Sequence, residues 1–142
     1  MKKYALYIIM LLFSAILSCD ENPIFIDCND CMPDEPDHAT LVLYMEKQLT
    51  DWHPAAIVRI YQGNLEDNVL LNLFYIHYEK WEIDVPLNKK YTITATYTDI
   101  NGKDYIAVDT AYPRVKYEKS QCENPCYFVY DRIVNLRLKY MK

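Results

Sequence analysis

Apolar and polar residues alternate with a period of two over several stretches of this chain. That is the mark of strands showing one face to a core and the other to water. Tyr91, Ile93, Ala95 and Tyr97 alternate with Thr92, Thr94, Thr96 and Thr98, which places β-branched threonines on the wet face. Val134, Leu136, Leu138 and Tyr140 alternate with Asn135, Arg137 and Lys139 in the same way. Ile57-Val58-Arg59-Ile60-Tyr61 and Tyr105-Ile106-Ala107-Val108 are shorter apolar runs. Asn101-Gly102 stands between 91–99 and 103–109 as a hairpin signal, because both residues tolerate positive φ. Pro86 and Pro113 bound or bend strands. Leu41 to Trp52 and Asn68 to Trp81 also fit a helical period, with Leu70, Leu73, Phe74 and His77 on one face, but their β-rich surroundings favour strands. The pattern predicts an all-β fold over 38–142, an antiparallel sandwich of about seven strands.

The first 18 residues break this pattern. Lys2 and Lys3 precede an apolar run from Tyr4 to Leu17, interrupted by Ser14. The run is shorter than the roughly 20 residues a bilayer span needs, and it fits the apolar region of a secretory signal. A buried N-terminal helix would explain the apolar run and leave the positive start unexplained. Ile16-Leu17-Ser18-Cys19 resembles the lipobox of bacterial lipoproteins. The resemblance implies a lipoprotein signal peptide over 1–18, cleavage before Cys19, and diacylglycerol and further acyl chains (palmitate among them) on Cys19. Each buried methylene contributes about 0.8 kcal/mol, so two or three chains anchor durably where one does not. Asp20-Glu21-Asn22 is similar to the surface-export signal of Bacteroidota-type lipoproteins, which implies an outer-membrane, surface-exposed protein of the cell envelope.

Charge divides the remaining chain. Without Lys2 and Lys3 it carries 13 basic and 20 acidic residues. Asp20, Glu21, Asp27, Asp30, Asp34, Glu35 and Asp37 lie in a stretch with no Lys or Arg, whereas 38–142 balances. Pro23, Pro33 and Pro36 oppose helix in the same stretch. Residues 19–37 therefore read as an acidic, extended tether that holds the domain off an anionic membrane. No basic cluster exists, so nucleic acid is not an expected partner. Two glycines, Gly63 and Gly102, cannot build a phosphate loop or dinucleotide fingerprint, so neither is a nucleotide.

Four cysteines remain beyond Cys19: Cys28 and Cys31 in Cys-Asn-Asp-Cys, and Cys122 and Cys126 in Cys-Glu-Asn-Pro-Cys. Export and an even count favour two disulfides. Local pairing closes two small loops, while cross pairing staples the tether to the segment before the last strand. Cross pairing is favoured because Cys31 and Cys126 each precede a terminal strand. A tetrahedral zinc site is the second reading, since two close pairs far apart in sequence are how four-cysteine zinc sites are usually written. A redox-active Cys28/Cys31 pair is the third. It needs positive neighbours or a helix N-terminus, and Asp27, Asp30, Asp34 and Glu35 oppose it.

Other chemistry is sparse. His38, His53 and His77 are scattered and form no metal motif. Ser120 is the only serine after the leader and lies in Lys119-Ser120-Gln121, not in a nucleophile elbow. Glu66/Asp67 and Asp99/Asp104 sit in predicted turns and read as solvated. The segment 99–104 lacks the oxygen ladder of a calcium loop. No enzyme is expected. Fourteen tyrosines make the chain rich in amphipathic rings. Trp52, Trp81, Tyr75 and Tyr78 are the candidate ligand contacts, weighed against a tyrosine-rich sandwich core and rim.

The motif order Ile60-Tyr61-Gln62-Gly63-Asn64-Leu65-Glu66, Ile83-Asp84-Val85-Pro86-Leu87, Tyr91-Thr92-Ile93-Thr94-Ala95 and Asn135-Leu136-Arg137-Leu138 resembles small Bacteroidota-type lipoproteins with a transthyretin-like (carboxypeptidase-regulatory-like) domain. The resemblance spans roughly 40–140. It implies an immunoglobulin-like or transthyretin-like β-sandwich without catalytic residues, acting as an accessory or binding module for protein or glycan. It implies no cofactor beyond the lipid. The alternative expectation is a zinc-binding or thiol-redox envelope protein using all four of Cys28, Cys31, Cys122 and Cys126.

Overall fold

Alternating side chains and a few turn residues divide the chain into strands β1 (His38–Tyr44), β2 (Ala56–Gln62), β3 (Leu70–Ile76), β4 (Lys80–Pro86), β5 (Tyr91–Thr98), β6 (Asp104–Ala111), β7 (Arg114–Glu118), β8 (Cys126–Tyr130) and β9 (Ile133–Asn135). The computed structural model describes residues 27–47, 55–119 and 121–138. The leader, Cys19, Trp52, His53 and Ser120 lie outside them. Neither stretch with an ambiguous period is helical over its described residues: the first carries β1 as far as Tyr44, and the second carries β3, the turn at 77–79 and the start of β4. Over the described residues the fold is all-β, with nine strands where about seven were expected. The excess lies in β7, whose Arg114-Val115-Lys116-Tyr117-Glu118 carries too many charges to stand out as a strand, and in β8, Cys126–Tyr130, which the alternation did not single out.

The strands form a three-stranded sheet ordered β4-β1-β9, a four-stranded sheet ordered β3-β2-β5-β6, and a β7-β8 ribbon. The first two face each other in a sandwich-like arrangement. Leu41, Leu43, Val85, Val134 and Leu136 come from one side, and Val58, Ile60, Tyr91, Ile93 and Ala95 from the other, in a single buried cluster. Neighbours pair antiparallel except β1 and β9, which run parallel from Val42↔Ile133 to Tyr44↔Asn135. That pair departs from the expected fully antiparallel sandwich. β1 already has β4 on one edge, and the returning chain enters the other edge in the same direction as β1.

Three local expectations differ in detail. Thr92 and Thr94 are buried although they lie on the outer face of the four-stranded sheet, because β5 is a central strand flanked on both sides. Their row is hydrogen-bonded: the Thr92 hydroxyl donates to the Gly63 carbonyl, and Arg59 donates to Thr96. In the Asn101-Gly102 turn only Gly102 takes positive φ. The Asp99 carboxylate accepts from the Asn101 and Lys103 amides, and the Gly102 amide donates to the Asp99 carbonyl. The hairpin is thus closed by a type I turn followed by a left-handed glycine rather than by two left-handed residues. The last alternating segment keeps its burial pattern but not its ladder. β9 ends at Asn135, while Leu136 stays buried and its amide donates to the Tyr44 carbonyl.

Candidate functional site

The four cysteines are brought together by two short segments that the sequence separates by about ninety residues. On one side, Asp27 accepts from the amide and side chain of Asn29, and the Asp30 amide donates to the Asp27 carbonyl. The resulting 3-10 turn Cys28–Asp30 carries Cys28 and leads into Cys31. Met32 then pairs with Tyr127 on β8, each amide donating to the other's carbonyl at 2.8 Å. A salt bridge of 3.3 Å from Arg132 to Asp30 adds a second clasp. Within the segment expected as an extended tether, residues 28–32 are tied to β8 and its flanking loops, while Asp27, Asp30, Asp34, Glu35 and Asp37 stay exposed as their charge leads one to expect.

On the other side, β7 and β8 end in the pair Glu118↔Cys126. Glu118 is buried, and its carboxylate accepts from the Lys119 amide at 2.9 Å and the Gln121 amide at 3.3 Å. That folds the connecting loop back and presents Cys122 to the turn. Neither Glu118 nor the Met32–Tyr127 pairing was read from the sequence as part of a site. A single acid ending a charged strand has no periodic signal to set it apart from a solvated residue.

Two disulfides join the segments, Cys28–Cys122 and Cys31–Cys126, with Cα separations of 5.7 and 5.4 Å. This is the cross pairing. The sulfurs form one cluster: Cys31 Sγ lies 3.6 Å from Cys122 Sγ, and the Sγ atoms of Cys31, Cys122 and Cys126 all lie within 4.8 Å of one another. Cys28 is exposed, Cys31 and Cys122 are half-buried, and Cys126 is 5% exposed. The cluster lines a concavity of about 340 Å³ together with Pro33, Glu123, Asn124 and Pro125. Tetrahedral zinc–thiolate geometry, with zinc–sulfur bonds of about 2.3 Å, places neighbouring sulfurs ~3.8 Å apart. The cluster thus has the span of a thiolate metal site as well as the connectivity of a double staple. Of the neighbouring acids, Glu123 lines the concavity, whereas the Asp30 carboxylate is paired with Arg132 and the Asp27 carboxylate caps the turn through Asn29.

Of the aromatic candidates among the described residues, Tyr78 and Trp81 meet and Tyr75 stands apart. Tyr78 stacks on Trp81, with ring centroids 6.5 Å apart and planes inclined by 7°. Trp81 also meets Phe74, whose ring packs toward the core. Tyr75, next to Phe74 on β3, points to the opposite face of that strand and is exposed. His38 is paired with Asp37 at 2.9 Å on the surface, and this histidine holds the Asp37 carboxyl below its usual range. His77 lies at the end of β3, apart from it. Glu66 and Asp67 occupy a 3-10 turn, Leu65–Asp67, where Asp67 accepts from the Asn64 amide. Asp99 and Asp104 serve the β5–β6 hairpin, Asp104 accepting from the Thr98 hydroxyl.

No protein-family model matches the chain, and no curated protein or solved structure matches it significantly.

Proposed function

We propose that the chain is an exported, lipid-anchored β-domain whose chemistry resides in its four-cysteine cluster. In an oxidising compartment the cluster is closed as two structural disulfides. Once reduced, it is a zinc-binding thiolate site. The supporting observation is the approach of the Cys31, Cys122 and Cys126 sulfurs to within 4.8 Å, with Cys28 bonded to Cys122 as the fourth donor. On this reading the zinc alternative outweighs a purely passive module, because stapling two segments needs only two sulfurs at each crossing and not a shared cluster. On this reading the reduced protein holds a cation.

The test is zinc uptake by the chain before and after reduction. The oxidised chain is expected to weigh four protons less than the reduced one and to retain no zinc. The fully reduced chain is expected to bind one zinc ion per molecule, and Cys31→Ser or Cys122→Ser to weaken that binding at least tenfold. Failure of the reduced wild type to retain zinc overturns the metal reading and leaves the structural disulfides. The anchor rests on the residues around Cys19: radiolabelled palmitate is expected to enter the wild type and not Cys19→Ala.

A second reading, an accessory module binding protein or glycan, is favoured by one observation, the Tyr78–Trp81 stack with Tyr78 exposed. Glycan arrays with the wild type, Trp52→Ala and Trp81→Ala test it, and a wild type without signal removes the glycan arm.

A further inference from the structure

The two disulfides touch. The 3.6 Å between Cys31 Sγ and Cys122 Sγ is a contact between members of different bonds. Because Cys126 Sγ also lies within 4.8 Å of Cys122 Sγ, attack in line with the Cys31–Cys126 bond requires the Cys122 side chain to turn once Cys28 releases it. The bonds also differ in access, since Cys28 is exposed and Cys126 is buried. A reductant arriving through the concavity at the cluster meets the Cys28–Cys122 bond first.

We propose that the cluster is an exchange relay, in which reduction at the exposed disulfide is passed to the buried one. This inference rests on the cysteine cluster being the protein's chemical centre, and it names the reactant that centre meets, a dithiol. One thiolate of the dithiol attacks Cys28 Sγ. A bond forms between them, the Cys28–Cys122 bond breaks, and Cys122 leaves as a thiolate. Cys122 Sγ attacks Cys31 Sγ, forming Cys31–Cys122, breaking Cys31–Cys126 and releasing Cys126 as a thiolate. The second thiol of the dithiol then closes on its partner sulfur and frees Cys28. Two electrons pass from the dithiol to the protein. The dithiol ends as a cyclic disulfide, and its two protons end on Cys28 and Cys126. The product keeps one cross-link, Cys31–Cys122, so the staple survives the first reduction. Each attack needs a thiolate, so the relay quickens as pH rises toward the thiol pKa.

The full chain is treated with limiting dithiothreitol, quenched in acid, alkylated and peptide-mapped. The singly reduced species is expected to carry Cys31–Cys122, with alkyl groups on Cys28 and Cys126. An intact Cys31–Cys126 bond with alkylated Cys28 and Cys122 overturns the relay. The variant Cys28→Ser tests the same step without reductant, because it leaves Cys122 as a free thiol beside Cys31–Cys126. It is expected to contain both Cys31–Cys126 and Cys31–Cys122 forms, and Cys31–Cys126 alone overturns the proposal. Zinc uptake by the fully reduced chain does not depend on exchange. Uptake without rearranged bonds therefore sinks only the relay, and rearranged bonds without uptake sink only the metal reading.

Discussion

Single side chains carry consequences that can be measured separately. Tyr97 is the clearest, because its hydroxyl ties the two sheets. It donates to the Leu136 carbonyl at 2.9 Å and accepts from the Glu46 amide at 3.0 Å. Burial pushes its pKa up to about 12, with the hydrogen bond from the Glu46 amide opposing the shift. A folded-state pKa above the unfolded value means that the native state holds the proton more tightly. The corresponding stability is complete below about pH 10 and is lost as pH climbs through 12. Tyr97→Phe is expected to lose about 1–2 kcal/mol at neutral pH by leaving buried backbone groups unpaired. It should also flatten the alkaline fall in stability, as read from urea midpoints across that range. The glycines make a second contrast. Gly63 and Gly102 both take left-handed backbone, at φ 82° and 80°. A Cβ on Gly63 would stand 2.7 Å from Asp67 Oδ2, whereas one on Gly102 meets nothing within 4 Å. Gly102→Ala is expected to cost about 1 kcal/mol from backbone strain alone. Gly63→Ala should cost measurably more, because Asp67 must also give up the Asn64 amide; thermal melts of the pair give the comparison.

At the scale of elements, period-two alternation located some strands and not others. Tyr91 to Thr98 needed nothing else, because a half-buried strand leaves its imprint on every second residue. Charged β7 and the ambiguous stretches holding β1 and β3 carry no such clean signal. Pairing and cover left no such imprint. Thr92 and Thr94 look solvated in sequence, and they are buried because β2 and β6 flank them, a fact about neighbours rather than about β5. The parallel partnership of β9 with β1 joins residues about ninety positions apart, which no local pattern encodes. The site was legible to the same degree. The residue types and the even count of cysteines pointed to a cross-linked or metal-binding cluster, but the meeting of four sulfurs depends on a turn and a loop folding toward each other. β9 is short, and its hold on the sandwich comes from what surrounds it. The Asn135 amide donates to the Asp109 carboxylate on β6 at 2.7 Å, and Leu136 is fully buried just beyond. Leu136→Ala is therefore expected to destabilise the domain by about 2–5 kcal/mol as a core truncation. Asp109→Ala should do so by about 1 kcal/mol. Equilibrium unfolding of the two variants checks the order.

For the whole molecule, the placement of the disulfides matters more than their number. They close loops of nearly identical span, with sequence separations of 94 and 95. Either bond alone restricts the unfolded chain by the same long closure, which the chain-entropy account values at about 4–5 kcal/mol for this length. The second then closes only a short residual ring. Removing Cys28–Cys122 or Cys31–Cys126 by paired serine substitution is expected to cost about 2–3 kcal/mol each. Removing both should cost more than the two single losses together. A double-mutant cycle on denaturation midpoints reads that coupling directly, and additive losses would contradict it.

The clasp between the turn at Cys28 and the loop at Cys122 also decides where a pull would be felt. Tension entering from the leader end passes at Cys28 into the bond to Cys122 and continues toward β8. The intervening strands, β1 through β7, sit in a covalent bypass that carries no load. If the proposed anchor holds the front end, β1, the central strand of the smaller sheet, is thereby spared peeling. Stretched between its termini, the oxidised chain should lengthen only by what lies outside the clasp, and the reduced chain should extend to its full contour.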